Sequence, residues 1–171
     1  MDLKETIRSI KDYPEEGVTF RDITTLLKEG DAFKQCIDEL IALAEKKEID
    51  KIVGIEARGF LIGAPMAYAM GKGFVPVRKP GKLPSETVAT HYDLEYGSDS
   101  VEMHIDGIDK GERVLIVDDL LATGGTGKAA VELCKEVGAE VVGCLFLIEL
   151  DGLNGRDDIG VEVESLLHFP A

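Results

Sequence analysis

The chain has 171 residues, 44% of them apolar and 30% charged, which is enough for one soluble globular domain with a well-covered core. Its 33 acidic and 19 basic side chains give a formal net charge of −14. Because such a surface repels phosphate backbones and anionic lipids, we expect no nucleic-acid or membrane partner, and any phosphate must be held by local basic clusters and backbone N–H groups.

The first part of the chain alternates between apolar segments of helical and of strand character. Asp31 stands where the N-cap of the first helix is expected, and Pro65 should kink the second helix or lie in its first turn. The predicted elements of this part are a helix at 32–47, a strand at 51–56, a helix at about 60–70 and a strand at 73–77.

The alternation is interrupted at residues 80–107, which are polar and rich in turn residues, so we expect a mobile loop and a hairpin there. The elements that follow are a strand at 113–119, a helix at 126–137 ended by Gly138, a strand at 140–150 and a strand near 161–169. Together they predict an α/β fold in a single domain, residues 1–171. Its central, mostly parallel, twisted sheet is flanked by helices, with the small antiparallel hairpin and flexible loop as a hood.

Two features indicate a cytoplasmic protein. The first ten residues are charged and lack the apolar core of a secretory signal. The three cysteines, Cys36, Cys134 and Cys144, form no Cys-x-x-Cys pattern, which is typical of buried thiols in a reducing compartment.

The most informative stretch is VLIVDDLLATGGT, residues 114–126, where an apolar strand leads into two acids and a glycine-rich turn. In a parallel sheet, ligands bind at the carboxyl ends of the strands, and a turn that opens a helix presents free N–H groups to an anion. The carboxylates of Asp118 and Asp119 only accept hydrogen bonds, which suits ribose hydroxyl groups, and their charge would stabilise a cationic anomeric centre. A phosphorylated sugar accounts for both halves of the motif.

Other interpretations compete with this one. A P-loop is excluded, because Ala occupies positions 122 and 129, where it needs Gly and Ser or Thr. Residues 125–130, GTGKAA, match the dinucleotide fingerprint G-x-G-x-x-A, although these glycines do not directly follow the strand. A third interpretation is a solvated turn with the acids as helix caps, although it explains neither the adjacent pair of acids nor the glycines. The dinucleotide site and the plain turn stay open at the level of the residues.

Five segments, in order, resemble those of the type I phosphoribosyltransferases, and within that family the members that use adenine. VLIVDDLLATGGT resembles the family's phosphoribosyl-diphosphate signature, and the likeness covers about residues 13–150. Tyr13-Pro14 stands where the family has Phe-Pro, a mild departure away from the base contacts. The other segments are FRDIT at 20–24, GIEARGF at 54–60, VRKPGKLP at 77–84 and LEYG at 94–97.

The resemblance implies a role for each segment, and a cis peptide bond at Glu56-Ala57. The implied 5′-phosphate ligands are Ala122, Thr123, Gly124, Gly125 and Thr126, with Asp118 and Asp119 on the ribose. The implied diphosphate ligands are Glu56, Ala57, Arg58, Arg78, Lys79 and Lys82. Adenine would lie between Phe20 and Leu120 and meet backbone groups around Thr19 and Arg21. The implied catalytic residues are Arg58, Lys79 and Glu95, the last closing over the site beside Tyr96 and handling the adenine proton.

The implied reaction is one of purine salvage, in which 5-phosphoribosyl 1-diphosphate and adenine give AMP and diphosphate. Mg²⁺ would enter with the diphosphate. The sequence has no direct metal-ligand spacing, so the ion would be held mainly through substrate, near Asp118. The family also implies a homodimer. Two alternatives remain: a 6-oxopurine phosphoribosyltransferase, and a non-catalytic regulator that senses the sugar diphosphate and binds nucleic acid. FRDIT favours adenine, and the net charge disfavours the regulator.

Overall fold

Strands and helices alternate through the residues that the computed structural model describes, 1–94 and 97–171. The strands are β1 (Arg8–Lys11), β2 (Thr19–Asp22), β3 (Lys51–Ile55), β4 (Gly73–Val77), β5 (Thr87–Leu94), β6 (Gly97–His104), β7 (Arg113–Leu121), β8 (Glu140–Asp151) and β9 (Val163–Pro170). The helices are α1 (Thr24–Leu27), α2 (Gly30–Ala44), α3 (Arg58–Met70) and α4 (Gly125–Glu136), with 3₁₀ turns at Leu3–Thr6 and Gly155–Asp158.

The central sheet has five parallel strands in the order β4-β3-β7-β8-β9. From β3 the chain passes through α3 to β4 on one side, and then returns to form β7 on the other side of β3. The strand order therefore reverses between β3 and β7. In open α/β sheets, ligands bind at such a switch point, outside the carboxyl ends of the strands.

Alternate residues of β7 enter the two hydrophobic cores that lie on opposite faces of the sheet. Leu115 and Val117 belong to the core that contains the buried side chains of α2 and α3. Val114 and Ile116 belong to the other core, with the buried side chains of α4. Burial on both faces explains why the central strands are almost continuously apolar, and it confirms the predicted α/β architecture.

Two antiparallel hairpins stand outside the central sheet. The pair β5–β6 is the predicted hairpin, and Val101 and Met103 of β6 insert into the core on the α4 side. The pair β1–β2 was not predicted from the sequence. Its strands have four residues each and are mostly exposed or half-buried, so they carry too few buried positions to show a period of two.

The predicted long elements are confirmed, with shifts at their ends. The expectation that Asp31 caps the first helix is wrong, because α2 begins at Gly30 and its N-cap is Glu29, which makes no side-chain capping bond. Pro65 lies in the interior of α3 rather than in its first turn. β7 continues to Leu121, so the two acids still belong to the strand. The three cysteines are free and buried, as predicted.

No helix within the described ranges is long and apolar enough to cross a membrane.

Candidate active site

A cleft of about 440 Å³ opens at the switch point between β3 and β7. Its lining combines the segment after β3, the end of β7, the start of α4 and, from the β5–β6 hairpin, Tyr92 and Val101. The predicted site residues that line it are Glu56, Ala57, Arg58, Lys79, Asp118, Asp119, Leu120, Ala122, Thr123, Gly124, Gly125 and Thr126. The fold thus brings the predicted phosphate, ribose and diphosphate segments into one cavity.

The turn at residues 122–126 connects β7 to α4 and has the features of an anion site. Gly124 is the N-cap of α4, with φ of 91°, and as a glycine it offers no side-chain cap to this helix end. The first N–H groups of α4 therefore have no intrahelical acceptor, and they sit at the positive end of the helix dipole. Backbone donors in this arrangement suit a phosphate group.

The two carboxylates at the end of β7 differ in their surroundings. Asp119 is 7% exposed, and its Oδ2 accepts a hydrogen bond of 2.6 Å from Nε of Arg58. Asp118 accepts 2.8 Å from the backbone N–H of Asp119 through Oδ1. Burial, followed by the negative charge of Asp119, raises the pKa of Asp118 well above its usual range. Hydroxyl donors or a cation bound beside these two acids would therefore stabilise their negative charges.

Gly59 allows the start of α3 to approach these acids. A β-carbon on Gly59 would lie 2.8 Å from Oδ1 of Asp118 and 3.2 Å from the carbonyl oxygen of Val117. Any larger residue would force the Arg58 segment away from the cleft.

The segment after β3 contains a cis peptide bond between Glu56 and Ala57, at the position that the resemblance implies. Oε1 of Glu56 accepts 2.5 Å from the backbone N–H of Lys79, and Oε2 lies 3.0 Å from Nζ of Lys82. Nε of Arg78 lies 3.4 Å from Oε1 of the same carboxylate. Burial alone would raise the pKa of Glu56, but these donors and cations outweigh it and lower the pKa. Glu56 therefore holds two of the predicted diphosphate cations, Arg78 and Lys82, and the backbone of a third, Lys79.

Lys79 reaches from the end of β4 to the hairpin. Its ammonium contacts the carboxylate of Asp99 and lies 3.2 Å from the hydroxyl of Tyr92. Burial would lower the pKa of Lys79, but these partners raise it. Among the predicted diphosphate cations, Arg58 and Lys79 line the cleft, whereas Arg78 and Lys82 lie behind it on Glu56.

The predicted base site is built from β2 and β7. The ring of Phe20 packs against the guanidinium of Arg58, 5.3 Å from the ring centre, and lies beside the cleft. Leu120 lines the cleft itself. The side chain of Arg21 points elsewhere: it donates to Ser9 at 2.6 Å and to the carbonyl of Pro170 at 3.0 Å. The guanidinium of Arg21 is thus engaged by other partners, and the predicted base contact falls to its backbone groups.

Glu95 and Tyr96 lie outside the described residues. The sequence did not single out Asp99 and Tyr92, which contact Lys79. Both residues lie in the predicted hairpin region at 80–107, but nothing in their spacing to Lys79 predicted a contact that only the fold creates. Among residues 1–94 and 97–171, no group of three or more His, Cys, Asp and Glu side chains is placed to hold a metal ion.

The chain is similar over most of its length to known phosphoribosyltransferases. The family model of the phosphoribosyl transferase domain matches residues 23–163. An adenine phosphoribosyltransferase of Clostridium botulinum is 60% identical over 170 residues, 99% of each chain. The crystal structure of adenine phosphoribosyltransferase from Thermoanaerobacter pseudethanolicus has a TM-score of 0.96 at 50% identity, with 98% of each chain covered. The Saccharomyces cerevisiae enzyme, solved with adenine and D-2,5-dideoxy-2,5-imino-altritol 1,6-bisphosphate, has a TM-score of 0.92 at 41% identity, with 97% of each chain covered.

Proposed function

The chain belongs to the phosphoribosyltransferase family, and from this premise we propose that it transfers the 5-phosphoribosyl group of 5-phosphoribosyl 1-diphosphate to adenine, giving AMP and diphosphate. The observation that carries the proposal is the junction, in one cleft, of the 122–126 turn with the carboxylates of Asp118 and Asp119. The similarity to adenine phosphoribosyltransferases over nearly the whole chain favours adenine over 6-oxopurines and an enzyme over a regulator.

The two ends of the sugar are held by different parts of the cleft. Backbone N–H groups of the 122–126 turn bind the 5′-phosphate. Asp118 and Asp119 accept hydrogen bonds from the ribose hydroxyls, and their charge stabilises the oxocarbenium-like transition state. These contacts hold the anomeric carbon in the middle of the cleft, where orientation supplies much of the rate enhancement.

The bond that breaks joins the anomeric carbon to diphosphate, and the bond that forms joins this carbon to a ring nitrogen of adenine. Arg58 and Lys79, which line the cleft, neutralise the leaving diphosphate. Phe20 and Leu120 hold the purine from its two faces. Glu95 or solvent accepts the proton released from adenine, and closure of the 80–100 loop excludes water from the sugar.

Mg²⁺ fits this site as a partner of the diphosphate. The adjacent carboxylates of Asp118 and Asp119 present the hard oxygen ligands that this ion prefers, directly or through water. When bound, the ion neutralises charge on the leaving group.

A homodimer is the proposed assembly, and the outer face of α3 supports it. Leu61 is 47% exposed and Tyr68, two turns further on, is 90% exposed. Ala64 and Ala69 are exposed on the same helix, and α3 carries no charged side chain after Arg58. A continuous apolar helix face with an exposed tyrosine is typical of a protein–protein interface.

The proposed location is the cytoplasm, which the three free, buried cysteines support. The net charge of −14 supports the expectation that the partners are small molecules rather than nucleic acid or membrane.

The test is a panel of bases under identical conditions. The purified protein is incubated with 5-phosphoribosyl 1-diphosphate, Mg²⁺ and adenine, hypoxanthine, guanine or xanthine, and the nucleotide product is measured. We expect AMP from adenine and much slower reaction with the three oxopurines. A preference for an oxopurine, or no nucleotide from any base, would contradict the proposal.

A further inference from the structure

The 122–126 turn rests on a second turn of the chain, the 3₁₀ turn at Gly155–Asp158. A β-carbon on Gly124 would lie 2.2 Å from the carbonyl oxygen of Gly155. A β-carbon on Gly155 would lie 2.3 Å from the carbonyl oxygen of Ala122. The two backbones are thus in direct contact, and neither glycine has room for a side chain on this side.

Arg156, the residue after this contact, ties the second turn to the sheet. Its Nε donates to Oε2 of Glu149 at 2.9 Å, and its Nη2 donates to Oε1 at 2.5 Å. Its Nη1 donates to the carbonyl oxygen of Val163 at 3.3 Å. The planar guanidinium therefore engages the carboxylate with two parallel bonds, a geometry that restricts orientation as well as distance.

Glu149 is held in place on its other side. It is 8% exposed, and Ser165 of β9 donates a hydrogen bond of 2.7 Å to its Oε1. In the register of the sheet, Glu149 of β8 lies opposite Leu121, the last residue of β7 before the 122–126 turn. The carboxylate thus sits one strand away from the point where the turn leaves the sheet.

We propose that Arg156 and Glu149 are positioning residues for phosphoribosyl transfer, which hold Gly155 against the 122–126 turn and so fix the backbone donors that bind the 5′-phosphate. This inference rests on the proposed function. Neither residue is among the described residues that line the cleft, so their effect passes through the backbone contact. A displacement of about 1 Å in such a preorganised site can change the rate on the order of 10²-fold.

The experiment compares Arg156→Met and Arg156→Lys with the control Arg113→Met. Arg113 also pairs with a glutamate across β7 and β8, at 2.7 Å from Glu140, but at the amino end of these strands, away from the cleft. The measured quantities are KM for 5-phosphoribosyl 1-diphosphate, KM for adenine, and the Kd of AMP by calorimetry.

We expect Arg156→Met to raise KM for the sugar donor and Kd for AMP by about tenfold, and to change KM for adenine by less than about twofold. Arg156→Lys should restore part of this loss, because it keeps the charge but loses the two-pronged contact. Gly155→Ala should raise KM for the sugar donor and Kd for AMP in the same way, while it leaves the ion pair between Arg156 and Glu149 intact. Arg113→Met should leave all three constants unchanged.

The inference is overturned if folded Arg156→Met binds donor and AMP as the wild type does, or if the control shows the same losses. If Arg156→Met does not fold, Ser165→Ala, which removes only one bond to Glu149, takes its place, with a smaller shift of the same constants expected. A wild-type protein that forms no AMP would instead contradict the proposed function, so the two failures are distinguishable.

Discussion

Two acids of this protein, Asp118 and Asp22, have opposite effects on the stability of the fold because their neighbours differ. Asp118 is half-buried beside a second carboxylate, whereas Asp22 accepts hydrogen bonds from Thr24 and Arg8. Only the first lies in the candidate site. An acid that destabilises the folded chain but lines the cleft is the combination expected of a functional residue.

Replacing Asp118 by Asn should stabilise the fold and reduce activity. The pKa of Asp118 is raised in the folded state, so its charged form is disfavoured and its stabilising contribution is lost as the pH rises above the ordinary value of 3.8. The Asn variant should therefore melt at a higher temperature than wild type at pH 7 to 8, and the difference should vanish near pH 4. AMP formation should fall roughly 10²-fold. A variant less stable than wild type at pH 8 would contradict the assignment.

The two lysines of the VRKPGKLP segment should differ in importance. Lys79 lines the cleft, whereas Lys82 binds Glu56 behind it. Lys79→Met should raise KM for 5-phosphoribosyl 1-diphosphate by roughly 10- to 100-fold, since a charged hydrogen bond contributes about 1.5–3 kcal/mol. Lys82→Met is the matched control and should raise it by only a few-fold. The measurement is KM for the sugar donor in both variants by steady-state kinetics. An equal increase in the two variants would contradict the different roles of Lys79 and Lys82.

Residue types were more predictable than residue partners. The acids and glycines of 114–126 predicted an anion and hydroxyl site from local sequence, and the structure places them in one cleft. The carboxylate partners of the cations, Asp119 for Arg58 and Asp99 for Lys79, were not predictable, because they are 61 and 20 residues away along the chain. Such pairs depend on the strand order, which no local pattern encodes.

At the scale of elements, the N-terminal hairpin connects stability to the base site. Asp22, the last residue of β2, accepts from Arg8 of β1 at 2.5 Å and from the hydroxyl of Thr24 at the start of α1 at 2.6 Å. One carboxylate therefore ties two strands and a helix together, two residues from Phe20. Weakening the contacts of this carboxylate should therefore impair the binding of adenine more than the binding of the sugar donor.

Asp22→Asn should destabilise the fold at neutral pH. Hydrogen bonds from Thr24 and then Arg8 lower the pKa of Asp22 to about 2, so its contribution is present above pH 3.8 and is lost as the pH falls through about 2. The expected loss in the free energy of unfolding at pH 7 is about 2 kcal/mol, shrinking between pH 4 and pH 2. KM for adenine should rise more than KM for the donor.

The control for this variant is Asp38→Asn. Asp38 forms an exposed ion pair with Lys34 on α2, at 2.7 Å, and should contribute less than about 1 kcal/mol. Urea unfolding of the three proteins from pH 2 to pH 7 gives the comparison. A loss for Asp22→Asn that does not depend on pH would show that the charge of this carboxylate is not the cause.

Elements with long apolar patterns were predictable, and short polar ones were not. The inner strands β3, β7 and β8 are buried on both faces, and β7 and β8 have nearly continuous apolar sequences. The strands β1 and β2 and the 3₁₀ turn at Gly155–Asp158 are only four residues long each and contain few buried side chains, so their structure depends on tertiary contacts. The contact between that turn and the 122–126 turn could not be predicted from the sequence for the same reason.

At the scale of the whole molecule, the exposed face of α3 should mediate association of two chains. Tyr68→Asp places a charge at its most exposed apolar position and should weaken the dimer by on the order of 10²-fold. Leu153→Asp is the control, because Leu153 is exposed (42%) but lies outside α3. Sedimentation velocity over a range of concentrations should show a dimer for wild type and control and a monomer for Tyr68→Asp. A wild-type monomer would contradict the proposed assembly.

The strongly acidic chain meets a highly anionic substrate at a cleft where basic side chains and free N–H groups are concentrated. Arg58 and Lys79 line this cleft, each in contact with an acid of the chain, Asp119 and Asp99. Local donors rather than the overall field must therefore bind the phosphates. We therefore expect the phosphate, the sugar and the base to be bound by separate sets of residues.

A crystal structure with AMP bound tests that claim most directly. We predict the 5′-phosphate within hydrogen-bond distance of the backbone N–H groups of residues 123–126, the ribose hydroxyls on Asp118 and Asp119, and the purine between Phe20 and Leu120. A nucleotide bound with its phosphate away from this turn, or with the turn occupied by another part of the molecule, would contradict the account.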